Sequence, residues 1–320
     1  MTARGQLYYF SNAESTLTGV RNAQGDTIIA PAFPRHGGLH KLDSSTGPTI
    51  EFNLLPSGMK YDESRPASPF GAVYDRNGRF LYYPQGYDNG PDYWEEGLRR
   101  YAENGKIGFV DRLGHKVTTP DWEFALPFNY GYAKVFEGEL KKVYEMGGEH
   151  WHIAPKRDGD TLRFQLIDRM GRRINPLPSQ QNEKDYLFEG KYYPYPFHYS
   201  DDEQAIVDSV NNIKALSLIY SIPIYPYEER SLQFEIVERP NPYFPYYVLA
   251  GYENQQSAFW LQTSDILVHQ DTREIYINYG RKKPLKRWLL TELKQGSKRS
   301  HLPDTAIKSI QEEILKLDTP

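Results

Sequence analysis

Five stretches of this chain bring chemistry-bearing side chains close together in sequence. Glu149-His150-Trp151-His152 sets two imidazoles two residues apart. In a β-strand that spacing aims both to one side, and a zinc ion takes such a pair when further ligands complete its tetrahedron. No third ligand stands nearby, so two surface histidines are the plainer reading. Arg157-Asp158-Gly159-Asp160-Thr161 alternates carboxylates as a calcium loop does. Leu162 falls where the next oxygen is wanted, which favours a polar turn. Glu95-Glu96 and Glu228-Glu229 could each lend a carboxylate to a glycosidase pair, provided the fold holds the two about 5–10 Å apart across a cleft. Carboxylates in solvated loops need no such cleft. From Arg281 to Arg299 run eight Lys/Arg against the single Glu292, a local excess of seven positive charges in a chain of net charge −4. That run suits an acidic partner or a phospholipid surface, or the solvated face of a helix.

Other chemistry is excluded or lacks a signature. With no cysteine in 320 residues there are no disulfides, thiolate metal sites, Fe–S clusters or thiol nucleophiles. No Gly-rich phosphate loop, Gly-x-Ser-x-Gly elbow, His-Glu-x-x-His or EF-hand spacing occurs. The chain therefore reads as a non-enzyme, with no catalytic, cofactor or metal residue assigned. Its acidic balance argues against nucleic acid as a partner. No apolar run approaches the 18 residues of a membrane span. The start, "MTARGQLYYFSNAEST", shows no apolar leader core. That leaves a cytoplasmic protein, or an envelope protein whose leader has been removed.

The elements that must position any site are predicted to be mostly strands. There are 26 tyrosines and 23 prolines against 4 methionines. Tyr favours strands, and Pro is kept out of helix interiors. One pattern then recurs. In "TGVRNAQGDTIIAPAF", "FGAVYDRNGRFLYYPQGY" and "IGFVDRLGHKVTTPDW" an Asn or Asp stands three residues before a Gly: Asn22/Gly25, Asp75/Gly78 and Asp111/Gly114. A proline follows six residues after that Gly (Pro31, Pro84, Pro120), and then an aromatic (Phe33, Tyr87, Trp122). "FQLIDRMGRRINPLP" repeats the turn at Asp168/Gly171. The Asn/Asp side chain accepts from backbone N–H groups further on, and Gly supplies a left-handed residue, so each pattern predicts a short hairpin. Pro should end the second strand, and the aromatic should fold back as a core anchor. A single hairpin cannot bury its own apolar face, whereas stacked copies can.

These residues resemble the WG-repeat family, also called KWG repeats, of mostly bacterial β-rich proteins. The third copy, "GKIGFVDRLGHKVTTPDWEFALPFNYGYAKV", follows the family unit nearly throughout, and "YWEEGLRRYAENGKIGF" looks like one unit running into the next. The naming Trp is replaced by Thr18, Phe70 and Ile107 before the equivalent glycines. The resemblance spans roughly residues 5–178, closest over 70–136. It implies a scaffold of stacked hairpin repeats and carries no catalytic residues.

Beyond the repeats the pattern changes, and the expected domains are 1–190 and 191–320. "QAIVDSVNNIKALSLIYS" has the helical spacing Ile206, Val210, Ile213 and Leu216, led by Asp201, Asp202 and Glu203. "LQFEIV", "YYVLAGY", "AFWLQT", "DILVHQ" and "REIYINYG" alternate as an antiparallel meander does, with "HQDTRE" as a hairpin turn. "PLKRWLLTELKQG" predicts a helix stopped by Gly296. "LPDTAIKSIQEEILKLD" predicts one capped at Asp304, with Ile307, Ile310, Ile314 and Leu317 on one face. The fold class is therefore mainly β: stacked hairpins, then an α+β part of helix and meander, then two closing helices. Tyr/Pro loops at 192–197, 222–229 and 241–247 offer Tyr192, Tyr193, Tyr195, Tyr225, Tyr227, Tyr243, Phe244 and Tyr246 as partner-binding residues. Rigid amphipathic rings held by prolines suit an interface, or packing between domains. The function expected is a non-catalytic bacterial protein-interaction role, an immunity or adaptor protein that occludes a secreted toxin or effector. The alternative is a glycan- or cell-wall-binding module with Trp94, Trp122 and Tyr faces as stacking platforms. A hydrolase built from distant residues stands third.

Overall fold

The computed structural model describes residues 6–35, 48–87, 90–145, 148, 151–224, 227–258, 265–279, 281–299 and 302–317. Its four sequence-predicted turns share one set of hydrogen bonds. At Asn22, Asp75, Asp111 and Asp168 the side-chain oxygen accepts from the N–H groups two and four residues on, at 2.8–3.0 Å. The glycine N–H three residues on donates to the carbonyl of the same residue, at 2.9–3.2 Å. Gly25, Gly78, Gly114 and Gly171 all take φ between 79° and 95°, the left-handed region that a Cβ would strain.

Tertiary contacts divide the chain into two compact units: Met1–Phe128 with Tyr132–Ile174, and Asn129–Gly131 with Asn175–Pro320. The second unit thus takes in 175–190 as well as 191–320.

In the first unit the hairpins assemble into antiparallel sheets. Leu7–Ser11, Leu17–Asn22 and Thr27–Pro34 form one of three strands. Five strands form the next, in the order Lys106–Asp111, Leu98–Glu103, Phe80–Pro84, Ala72–Asp75 and Thr49–Phe52. A third runs Phe124–Ala125, Tyr132–Glu137, Arg163–Asp168 and Arg173–Ile174. Two of the three aromatics after the prolines are core anchors. Phe33 stacks on Phe52 at 3.7 Å beside Val20, Ile29 and Ile50. Trp122 joins Ile107, Phe109 and Phe128.

Two expectations for the repeat do not hold in every copy. Tyr87 is half exposed, because it lies in the two-residue ladder Gly86–Tyr87 with Gly90–Pro91, which turns it outward, edge-on to Tyr93 at 5.7 Å. Pro31 sits inside Thr27–Pro34 rather than at its end. The ladder there pairs Thr18 with Phe33 and then Val20 with Ile29, so the strand bulges opposite Gly19, and a bulge does not need the missing N–H. The bulge presses on its partner: a Cβ at Gly19 would lie 2.4 Å from the Ile29 carbonyl oxygen.

The second unit is a sheet with four helices. Its strands run Gln233–Glu238, Tyr246–Glu253, Asp265–His269, Ile275–Tyr279 and Arg281–Pro284, with Gln256–Ser257 pairing back on the second. The expected strand "AFWLQT" lies outside the described residues after Ala258. The expected first helix is two, α1 (Asp201–Asn211) and α2 (Lys214–Ser221). The break follows Asn211, whose amide donates to the Phe234 carbonyl at 3.0 Å and accepts from its N–H at 2.8 Å, tying the end of α1 to the sheet. Ser200 and Glu203 form a capping box on α1, worth about 1 kcal/mol. Helix α3 (Leu285–Arg299) and helix α4 (Asp304–Leu315) close the chain. The cap residue of α4 is Pro303, and Asp304 is already helical. One core gathers Ile206, Leu216, Phe234, Leu249, Ile266, Leu289, Ile310 and Ile314 from all four helices and the sheet.

Gly296 does not stop α3, which runs on to Arg299. Its role is close approach, since a Cβ there would meet Ile222 Cγ2 at 2.6 Å. Gly296→Ala gains up to about 1 kcal/mol of helix propensity and loses about 1–3 kcal/mol to overpacking. The net expectation is a loss of about 1 kcal/mol by urea denaturation. In an Ile222→Ala background the same change should become stabilising, because the clash is gone.

Candidate functional site

An open groove of about 630 Å³ lies in the first unit. Two strands supply its floor. Tyr82 from Phe80–Pro84 and Tyr101 from Leu98–Glu103 are buried with ring centres 6.2 Å apart, and burial pushes both hydroxyls well above the ordinary tyrosine range. The Tyr101 hydroxyl donates to the Thr118 carbonyl at 2.9 Å. The walls are exposed: Phe80, 4.5 Å from Tyr83, and Tyr61, with Met59 beside them.

Tight turns shape both ends of the groove. Asn104 and Gly105 are both left-handed, at φ 53° and 74°, and close the hairpin between Leu98–Glu103 and Lys106–Asp111. Asp62 opens a turn by accepting from the Ser64 N–H and hydroxyl at 3.0 and 2.6 Å, and these bonds hold its carboxyl below the usual range. The rim charges are matched. Arg65 meets Asp62 at 3.4 Å, and Lys116 donates to both Glu103 oxygens at 2.9 Å. A neutral rim around exposed rings leaves room that apolar and aromatic groups could fill.

The residues singled out from sequence are placed elsewhere. Glu149 and His150 lie outside the described residues; His152 is exposed on the strand Trp151–Pro155. Among the described residues no group of three or more His, Cys, Asp or Glu could hold a metal ion. Asp158 is exposed and salt-bridged to Lys141 at 3.1 Å. Glu96 is buried in a left-handed turn, 3.4 Å from Arg169, while Glu228 and Glu229 are exposed. Ser68 and Lys142 do meet, at 2.7 Å, but the serine hydroxyl donates to the Arg65 carbonyl, so the lysine is a donor here and not a base. Trp122 is a core residue, and the guanidinium groups of Arg99 and Arg112 lie 4.4 and 4.9 Å from the Trp94 ring.

Of the Tyr/Pro loop residues, Tyr193 and Tyr246 are buried, Tyr192, Tyr195, Tyr227 and Phe244 are partly exposed, and Tyr243 is exposed; Tyr225 lies outside the described residues. Phe244 and Tyr246 form one patch at 5.0 Å, extended by His269 and by Tyr276. The Lys282 ammonium donates to the Tyr246 hydroxyl and lies 4.6 Å from the Tyr276 ring. Tyr195 belongs to a different cluster. Its hydroxyl and that of Tyr199 each donate to Oε2 of Glu235 at 2.6 Å, and Gln233 donates to Oε1. Glu235 is fully buried, and the Lys184 ammonium stands 4.0 Å away. Tyr130 caps this region with edge-on contacts to Tyr252 and Phe197 at 5.2 and 5.4 Å. It does so from a left-handed backbone at φ 50°, rare for a bulky residue.

Neither the groove nor Glu235 was singled out from sequence. Asn104-Gly105, the strongest short hairpin signal, stands at the groove's end and could have drawn attention to Phe80-Leu81-Tyr82-Tyr83 on the neighbouring strand. No protein-family model matches this chain, and neither a curated protein nor a solved structure matches it. Fold and site define a mainly β chain of two units with tyrosine-rich aromatic clusters and an open aromatic groove.

Proposed function

We propose that this chain is a non-catalytic protein-binding scaffold built on WG-type hairpin repeats, whose groove in the first unit grips an extended segment of a partner protein. One observation carries the reading: an open groove floored and walled by Tyr61, Phe80, Tyr82, Tyr83 and Tyr101, with Met59 and Arg65 at its edge. Tyr, Phe, Met and Arg are the residues that interface centres favour, and rings already held by strands lose little entropy on binding. Bound there, a secreted toxin or effector would be occluded by the body of the scaffold, as an immunity or adaptor protein requires.

The test is retention of a partner by immobilised chain from extracts of the source organism. Wild type should retain one stoichiometric protein, and Tyr61→Ala/Phe80→Ala should weaken that retention at least about tenfold, since two exposed anchor rings are worth about 2 kcal/mol or more. The folded state of the variant is checked by near-UV circular dichroism. Equal retention by both would sink the groove as the site. Release of the partner by an oligosaccharide would move the reading to a glycan module.

A further inference from the structure

We infer that the outward face of α3 is a docking stripe for an acidic surface on a partner protein. The stripe consists of Arg287, Lys294 and Lys298, all exposed. At 3.6 residues per turn the three lie within about 40° of one another and span about 17 Å of helix. Leu285, Trp288, Leu289 and Leu293 occupy the opposite face and are buried in the core of the second unit. The stripe therefore points straight away from that core. None of the three cations makes an ion pair among the described residues.

Folding accounts for only part of this arrangement: Lys298 stands in the last turn of α3, where the helix dipole favours a cation. Lys294 and Lys298 are like charges four residues apart, which costs about 0.2–0.5 kcal/mol. Lys286 and Arg287 stand in the first turn, where the helix dipole is positive and no acidic residue is present. Lys286 is turned to the Leu317 carbonyl at 2.7 Å, but Arg287 is left facing solvent. An exposed helix face that carries three cations and no carboxylate among them is complementary to an anionic partner.

The geometry selects among anions. An interfacial membrane helix inserts its apolar face, and here that face is already buried. Three cations at about 1 kcal/mol each would hold a bilayer only at millimolar affinity. Three cations would neutralise only three phosphates, so the counterion release that drives nucleic-acid binding stays small. Carboxylates fixed on a partner protein can pair with each cation while Leu290, 40% exposed beside the stripe, supplies an apolar contact.

The inference takes only its class of partner from the protein-binding reading, and its site is separate from the groove. The probe is poly-L-glutamate, titrated against the full chain at low and moderate salt. Wild type should bind it, with affinity falling as salt rises. Arg287→Gln/Lys294→Gln/Lys298→Gln should weaken binding at least about tenfold and flatten the salt dependence, whereas Tyr61→Ala/Phe80→Ala should bind as wild type does. Charge removal on an exposed face should leave the fold intact, which circular dichroism checks. Unchanged binding by the triple variant would overturn the site. Tighter binding of phosphatidylserine–phosphatidylcholine vesicles or duplex DNA than of polyglutamate would overturn the partner class. Loss of partner retention by the groove variant alone would leave the stripe standing, and the converse result would leave the groove standing.

Discussion

Asp92→Ala is expected to lower the stability of the first unit by about 3–5 kcal/mol, read as a shift of its denaturant midpoint. Asp92 and Arg100 are 3% and 2% exposed and form a two-pronged pair, Nε to Oδ2 at 2.8 Å and Nη2 to Oδ1 at 2.5 Å. The same carboxylate accepts from the Arg100 backbone N–H at 3.1 Å. Arg100 also donates to the Ala125 carbonyl at 2.7 Å, and its guanidinium lies 5.5 Å from the Tyr87 ring and 5.9 Å from the Phe124 ring. Truncating Asp92 leaves a buried cation with one carbonyl and two ring faces, which cannot replace a carboxylate. The pair itself need not be a large net stabiliser, because desolvating both ions offsets most of their attraction. Asp92→Ala/Arg100→Met should therefore recover much of the loss. A double variant as unstable as Asp92→Ala would show that packing, not charge, holds this position.

Raising the pH from 9 to 12 is expected to unfold the protein cooperatively. Burial, with the nearby Glu51 charge adding to it, pushes the Tyr9 hydroxyl up to about 12. Burial first, and then the hydrogen bond and charge of Glu235, push Tyr195 and Tyr199 in the second unit still higher. Tyr220 is pushed up to about 12 by burial and by Glu253. Tyr82, Tyr101 and Tyr130 are also raised, chiefly by burial. The folded chain holds these protons while the unfolded chain releases them near pH 10, so the unfolded state is favoured as pH climbs. The stabilisation is complete below pH 10 and is lost as pH rises through the folded values, at about 1.4 kcal/mol for each pKa unit of each group. Tyrosinate absorbance should then rise in two stages, the buried set only in the second and together with loss of near-UV circular dichroism. A single smooth titration near pH 10 with the fold intact would contradict this.

The turns show how far local sequence reaches. Asn22, Asp75, Asp111 and Asp168 each accept hydrogen bonds within four residues, so side-chain chemistry and a glycine suffice to specify the hairpins. The meander and the face of α4 were legible for a similar reason, since periods of two and 3.6 declare which residues turn inward. The failures are equally instructive. Gly296 reads as a helix stop by propensity, yet α3 continues through it, and the glycine is needed because Ile222 fills the space a side chain would take. Tyr87 stands where Phe33 and Trp122 are core residues, and a two-residue ladder turns it outward.

By itself, then, the sequence determined the mainly β class, the four turn geometries, the inward face of the last helix and the charge of the run that ends with α3. These rest on contacts within a few residues or on simple periodicity. Only the tertiary structure decided that Glu96 and Glu235 are buried, that Arg100 finds Asp92, and that Tyr61, Phe80 and Tyr101 come together around one groove. Their partners stand as few as 8 residues away, for Asp92 and Arg100, and as many as 73, for Glu96 and Arg169. No local spacing encodes such a meeting. It follows from how the hairpins and strands stack, which the apolar faces permit and the packing of particular rings selects.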